Sequence, residues 1–197
     1  ADIDAYTARV IEDIDMYCPP SADSMYFGGG TPSLLSADNV RDMISAAKLS
    51  ENAEITMECN PNSVTENSLS GYRNAGVNRI SFGVQSLNDC ELRTLGRLHS
   101  ADEAINAIYA AKSAGFDNIS ADLMLAVPYQ TEKTLSETLE ALASLPITHI
   151  SAYMLKIEEG TPFDANGMRD IAPDDDISAD MYLQTVKFLE SRGFVQY

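Results

Sequence analysis

A chain of 197 residues with 45% apolar side chains is long enough for one domain with a sizeable buried core. Asp and Glu number 30 against 13 Lys and Arg, and the net charge of −17 excludes the basic face that a nucleic-acid groove needs. No run nears the ~18 consecutive apolar residues of a membrane span, and the start Ala1-Asp2-Ile3-Asp4 lacks the basic region of a signal peptide.

The first element is a helix over about residues 2–17, with Ile3, Val10, Ile14 and Tyr17 along one stripe. A short apolar run at 24–27 reads as a strand and leads into Phe27-Gly28-Gly29-Gly30-Thr31-Pro32-Ser33. Consecutive glycines let backbone N–H and C=O groups approach a ligand, Thr31 adds a hydroxyl, and Pro32 stiffens the exit. Ser36 caps a helix bearing Val40, Met43, Ile44 and Ala47. The next strand, 55–58, ends at Glu58-Cys59-Asn60-Pro61, a carboxylate in the last position of an inner strand.

Thr65 caps a helix with Leu69 and Tyr72, followed by a strand at 80–84 that ends in Gln85-Ser86. A loop, Leu95-Gly96-Arg97-Leu98-His99, places a guanidinium suited to clamping a carboxylate before the capping box Ser100-Ala101-Asp102-Glu103. The strand at 119–125 carries Asp122 isolated among apolar neighbours, where it needs a donor such as a ribose hydroxyl. Thr131 starts a helix with Leu135, Leu139 and Leu142. The strand at 150–155 runs on to Lys156 and Glu158. The acidic run Asp174 to Asp176 reads as a solvated loop before a last helix through Met181, Val186 and Leu189 to Gly193.

One phrase recurs: Ala75-Gly76-Val77-Asn78-Arg79-Ile80-Ser81, Ala114-Gly115-Phe116-Asp117-Asn118-Ile119-Ser120 and Pro146-Ile147-Thr148-His149-Ile150-Ser151. Each copy is a helix exit and a tight connection into an inner strand, the mark of parallel βα architecture. The whole of 1–197 reads as one α/β domain, most of a parallel β/α barrel. Both ends look interrupted, because no strand precedes the first helix and Gly193-Phe194-Val195 matches the phrase that opens a strand. The unpaired edge is expected to favour self-association.

Cys18, Cys59 and Cys90 form neither a disulfide framework nor a C-x-x-C pair, so reduced thiols in a cytoplasmic protein are expected. His99 and His149 read as structural. In β/α folds ligands bind at the C-terminal strand ends. There this chain converges exposed backbone, an amide, an arginine and carboxylates, a set suited to a zwitterionic, nucleoside-bearing small molecule.

These motifs, with Ser81-Phe82-Gly83-Val84-Gln85-Ser86, Asp122-Leu123-Met124 and Pro128-Tyr129-Gln130-Thr131 in order, resemble the oxygen-independent coproporphyrinogen III oxidase (HemN) family of radical S-adenosylmethionine (SAM) proteins. Residues 150–163 are more similar to its HemW branch of haem chaperones. The resemblance implies a partial (β/α)6 TIM-like barrel, S-adenosylmethionine and a [4Fe–4S] cluster, with haem a further candidate ligand. It implies that Gly29, Gly30 and Thr31 hold the methionine amino end, and that Gln85 and Asp122 contact the ribose side. Arg97 would meet the polar methionine end, with Glu58 and Lys156 as further contacts.

The family's C-x-x-x-C-x-x-C cluster loop does not occur in this sequence, Ala126 stands where the family usually has glycine, and the family's C-terminal domain is expected to lie outside these residues. Cluster ligation needs thiolates, so this chain alone is expected to hold no cluster and to be inactive. Three functions follow: a haem chaperone, an oxidative decarboxylase of coproporphyrinogen III, or a barrel lyase or aldolase using the glycine loop for phosphate.

Overall fold

The computed structural model describes residues 2–197. Helix α1 (Ile3–Tyr17) is capped by Asp2 and leads to β1 (Ala22–Phe27). Then follow α2 (Ala37–Ala46), β2 (Leu49–Cys59), α3 (Glu66–Ala75), β3 (Arg79–Gln85), α4 (Asp89–Thr94), α5 (Ala101–Ser113) and β4 (Asn118–Leu125). The chain continues through α6 (Glu132–Ser144), β5 (His149–Met154), α7 (Pro162–Ala165) and α8 (Asp175–Ser191). All five strands are parallel, in the order β1-β2-β3-β4-β5, and the sheet curls into a half-barrel.

Strand alternation explains the layering. Met57 and Cys59, Ile80, Phe82 and Val84, and Ile119, Ala121, Leu123 and Leu125 point outward against the helices. They meet Val40, Met43, Leu69, Ile108, Leu135, Leu139 and Met181, so the core lies between sheet and helices. The alternate residues form a polar inner face. Glu58 pairs with Ser81, Ser81 with Ser120, Ser120 with His149, and Asp122 with Ser151. Hydrogen bonds stitch that face: Arg79 donates to Thr56 at 3.3 Å, Asn118 to Glu54 at 3.4 Å, and Ser120 meets the His149 ring at 2.7 Å. The strands therefore alternate between an apolar outer face and a polar inner one.

The caps expected at Ser36, Thr65, Ser100 and Thr131 all form, each as a reciprocal capping box. Two expectations need correction, and one helix went unread. Strand β2 begins at Leu49, because the polar stretch Ser50 to Asn52 lengthens it beside Ala22 while carrying no apolar signal. The segment after Gln85 contains α4, capped by Asn88. The acidic run is the start of α8 itself: Asp174 accepts from the Ile177 N–H at 2.9 Å, and Asp175 and Asp176 lie in the first turn, where the helix dipole favours them. Residues 194–197 carry no regular structure, and the Phe194 N–H bonds back to the Leu189 carbonyl.

Candidate functional site

The loops after β1 to β4 converge at one end of the sheet. Gly29 and Gly30 have φ of +76° and +59°, left-handed values that glycine adopts without strain, and each faces open space. A Cβ on Gly28 would stand 2.8 Å from the Tyr26 ring, so the tyrosine lies directly on this loop. Tyr72, buried on α3, donates to the carbonyls of Ser33 (2.8 Å) and Leu35 (2.9 Å), fixing the loop's far end. Thr31 accepts a long 3.5 Å bond from the Asn60 amide.

Glu58 is bound at both oxygens: the Tyr26 hydroxyl donates at 2.9 Å and the Gly29 N–H at 3.3 Å. The Tyr26 phenol is pushed up to about 12, first by burial and then by its bond to Glu58 and the fields of Glu58 and Asp122. Across the inner face, Asp122 accepts from Ser81 at 3.4 Å and lies in register with Ser151 of β5. Burial raises its pKa above the aspartate range, Glu58 adds to the rise, and the serines and Arg79 oppose it.

Gln85 is 3% exposed and has φ +69°. It follows an irregularity in the β3–β4 register between Phe82 and Gln85, which re-aims the strand end. Its carbonyl oxygen accepts from the Tyr153 hydroxyl at 2.8 Å. The Gln85 amide nitrogen, the Asn60 carbonyl oxygen and an Arg97 nitrogen all lie within 4 Å of the position a Gly83 Cβ would take, so glycine makes room for the three to converge. Arg97 is half-buried, and its guanidinium has no carboxylate partner among the described residues.

The structure thus gathers Gly29, Gly30, Thr31, Glu58, Gln85, Arg97 and Asp122 around one mouth. The Lys156 side chain is 82% exposed and pairs with Glu158 at 2.7 Å. Sequence reasoning missed Tyr26, Asn60, Ser81, Ser151 and Tyr153. The alternation of the inner face would have found Tyr26, both serines and Tyr153; nothing local marks the Asn60 amide.

The donor set fits S-adenosylmethionine. Two carboxylates can accept from an ammonium or from ribose hydroxyls, an unpaired guanidinium suits a carboxylate, and the open glycine loop leaves space for a chain to lie along it. It does not fit an iron–sulphur cluster. Among the described residues no group of three His, Cys, Asp or Glu could hold a metal ion. Cys18 is half-buried, Cys90 is exposed, and the buried Cys59 thiol is pushed up to about 12, chiefly by burial, far from the thiolate form that iron needs. His99 bonds the Val84 carbonyl at 3.1 Å, and His149 bridges Ser120 and Tyr197.

Two cavities flank the sheet, one away from the mouth and one adjoining it. One of about 880 Å³ runs along the β5 edge beneath α8; the other, about 450 Å³, lies between α1 and β1 and reaches Gly28, Gly29 and Thr31.

The model of the Radical SAM superfamily matches residues 5–142. The heme chaperone HemW of Haemophilus influenzae is 39% identical over 178 residues, covering 88% of this chain and 46% of the relative. The mouse radical S-adenosyl methionine domain-containing protein 1, mitochondrial, is 39% identical over 181 residues, covering 89% and 41%. The chain spans about half the length of these curated relatives. Among solved structures, coproporphyrinogen III oxidase (HemN) from Escherichia coli, a radical SAM enzyme, superposes with a TM-score of 0.83 at 23% identity. It covers 98% of this chain and 46% of that one, and is a likeness of fold.

Proposed function

Because the chain belongs to the Radical SAM superfamily, we propose that it is the S-adenosylmethionine-binding core of a HemW-like protein that handles haem in the cytoplasm. The observation that carries this is the convergence of Glu58, Asp122, Gln85 and an unpaired Arg97 around an open glycine loop at the strand ends. Three free thiols are in keeping with a reducing setting. Among the described residues no helix is long and apolar enough to cross a membrane.

In this reading each residue holds one part of the cofactor. Gly29, Gly30 and Thr31 line the methionine amino end, with Glu58 accepting from the ammonium. Arg97 clamps the carboxylate. Gln85 and Asp122 face the ribose, where an ionised Asp122 accepts from hydroxyls. Lys156 joins them only by leaving Glu158. The cofactor, when bound with a [4Fe–4S] cluster, supplies radical chemistry; the cluster's thiolates are none of the cysteines of this chain.

The test is a pair of assays on the intact, cluster-loaded protein. Titration with haem should shift the haem absorption band at stoichiometric binding. Anaerobic incubation with coproporphyrinogen III should leave it unchanged, and protoporphyrinogen as product would replace this reading with that of an oxidative decarboxylase. Tight binding of a sugar phosphate at the mouth, with no binding of S-adenosylmethionine, would replace both with a barrel lyase.

A further inference from the structure

Glu91, in the first turn of α4, is 1% exposed and touches no group of the mouth. Three donors reach its carboxylate. The Ser86 hydroxyl (2.6 Å) and the Gln130 amide (3.0 Å) bond to Oε2, and the Thr134 hydroxyl (2.6 Å) bonds to Oε1. A buried carboxylate is costly unless its acceptor sites are met, and here neutral donors meet them.

Those donors come from two different strand exits. Ser86 follows Gln85 at the end of β3, while Gln130 and Thr134 lie between β4 and the first turn of α6. Both exits hold non-glycine residues in left-handed conformations: Gln85 on one, and Ala126 (φ +58°) and Tyr129 (φ +70°) on the other. Such conformations persist where the surroundings over-determine them. Gln130 shows the same constraint. Its Nε2 donates to Glu91 and to the Met124 carbonyl at 3.3 Å, which leaves its Oε1 buried with no partner. On the β3 side, Ser86 also accepts from the Asn88 N–H at 3.0 Å, so its hydroxyl is fixed from both directions.

We propose that Glu91 is a positioning residue, a clamp that holds the β3 exit with Gln85 in register with the β4 exit that follows Asp122. The proposal rests on reading the mouth as an S-adenosylmethionine site. Glu91 acts through Ser86, the peptide neighbour of Gln85, and through Gln130 and Thr134. Without it, the Gln85 amide loses the backbone geometry that aims it into the mouth.

The experiment is hydrogen exchange on the intact protein carrying Glu91→Gln, with Ser86→Ala as a second variant that leaves the carboxylate in place. In Glu91→Gln, exchange should quicken about tenfold or more in residues 84–88 and 126–131 together, with β2 and α3 unchanged. Ser86→Ala should quicken 84–88 and leave 126–131 near its original rate. Uniform acceleration through the chain, or no response in either loop, would overturn the clamp. In the cluster-loaded protein, Glu91→Gln should also weaken S-adenosylmethionine binding about tenfold; unchanged affinity would overturn the positioning role. A wild type that binds no S-adenosylmethionine would fail the reading of the mouth, while the exchange pattern would still decide whether Glu91 couples the two exits.

Discussion

Asp122 shows how the site trades stability for a charge. Burial raises its pKa, so the folded chain holds the proton more tightly than the unfolded chain does. The stability contributed by the neutral carboxyl is therefore complete below the ordinary aspartate pKa and is lost as pH rises through the raised value. Asp122→Asn should raise the melting temperature at pH 7, and the gain should vanish in acid below about pH 4. The same variant should weaken binding of a nucleoside ligand. Thermal melts at the two pH values, with calorimetry at pH 7, check both. Asp122 was legible because a lone carboxylate in an apolar run stands out. Tyr26 and Tyr153 were not, because a tyrosine in a strand reads as core until the inner face is known to be polar. Glu91 was invisible, since the polar stretch Asn88-Asp89-Cys90-Glu91 carries no apolar period and gives no sign that one of its carboxylates is buried.

At the scale of elements, the caps were the most readable feature. Ser100 accepts from the Glu103 N–H at 3.2 Å while Glu103 accepts from the Ser100 N–H at 2.7 Å. Ser100→Ala should cost about 1 kcal/mol of stability, measured by denaturant melts, with no change at the mouth. Tyr72 is the contrasting case. Its hydroxyl ties α3 to the carbonyls of Ser33 and Leu35, a tertiary link that no local pattern announces. Tyr72→Phe should cost about 1–2 kcal/mol by the same melts and loosen the glycine loop as seen by hydrogen exchange. Strand boundaries failed where polarity hid the strand: Ser50 to Asn52 continue β2 through a register irregularity between Leu49 and Glu54, and nothing apolar marks them. The end of β3 at Gln85 was legible, but its geometry was not, because a register irregularity and a left-handed Gln85 are set by the neighbouring strand and loops.

For the whole molecule, the repeated helix-exit phrase was enough to give a parallel β/α sheet, and alternation then divides it into an apolar outer layer and a polar lumen. β1 and β5 are the two outer strands of the sheet. Unpaired strand edges invite pairing with another chain, while a charge of −17 opposes it. Self-association of this chain should therefore increase as salt screens the repulsion, and light scattering across a salt series that shows a monomer throughout would count against it. The central claim is that the mouth of this half-barrel is the cradle for S-adenosylmethionine. Calorimetry of S-adenosylmethionine binding to the intact, cluster-loaded protein tests it most directly. Glu58→Ala and Asp122→Ala should each weaken binding by about tenfold or more; a wild type that does not bind, or variants that bind as tightly as the wild type, would contradict it.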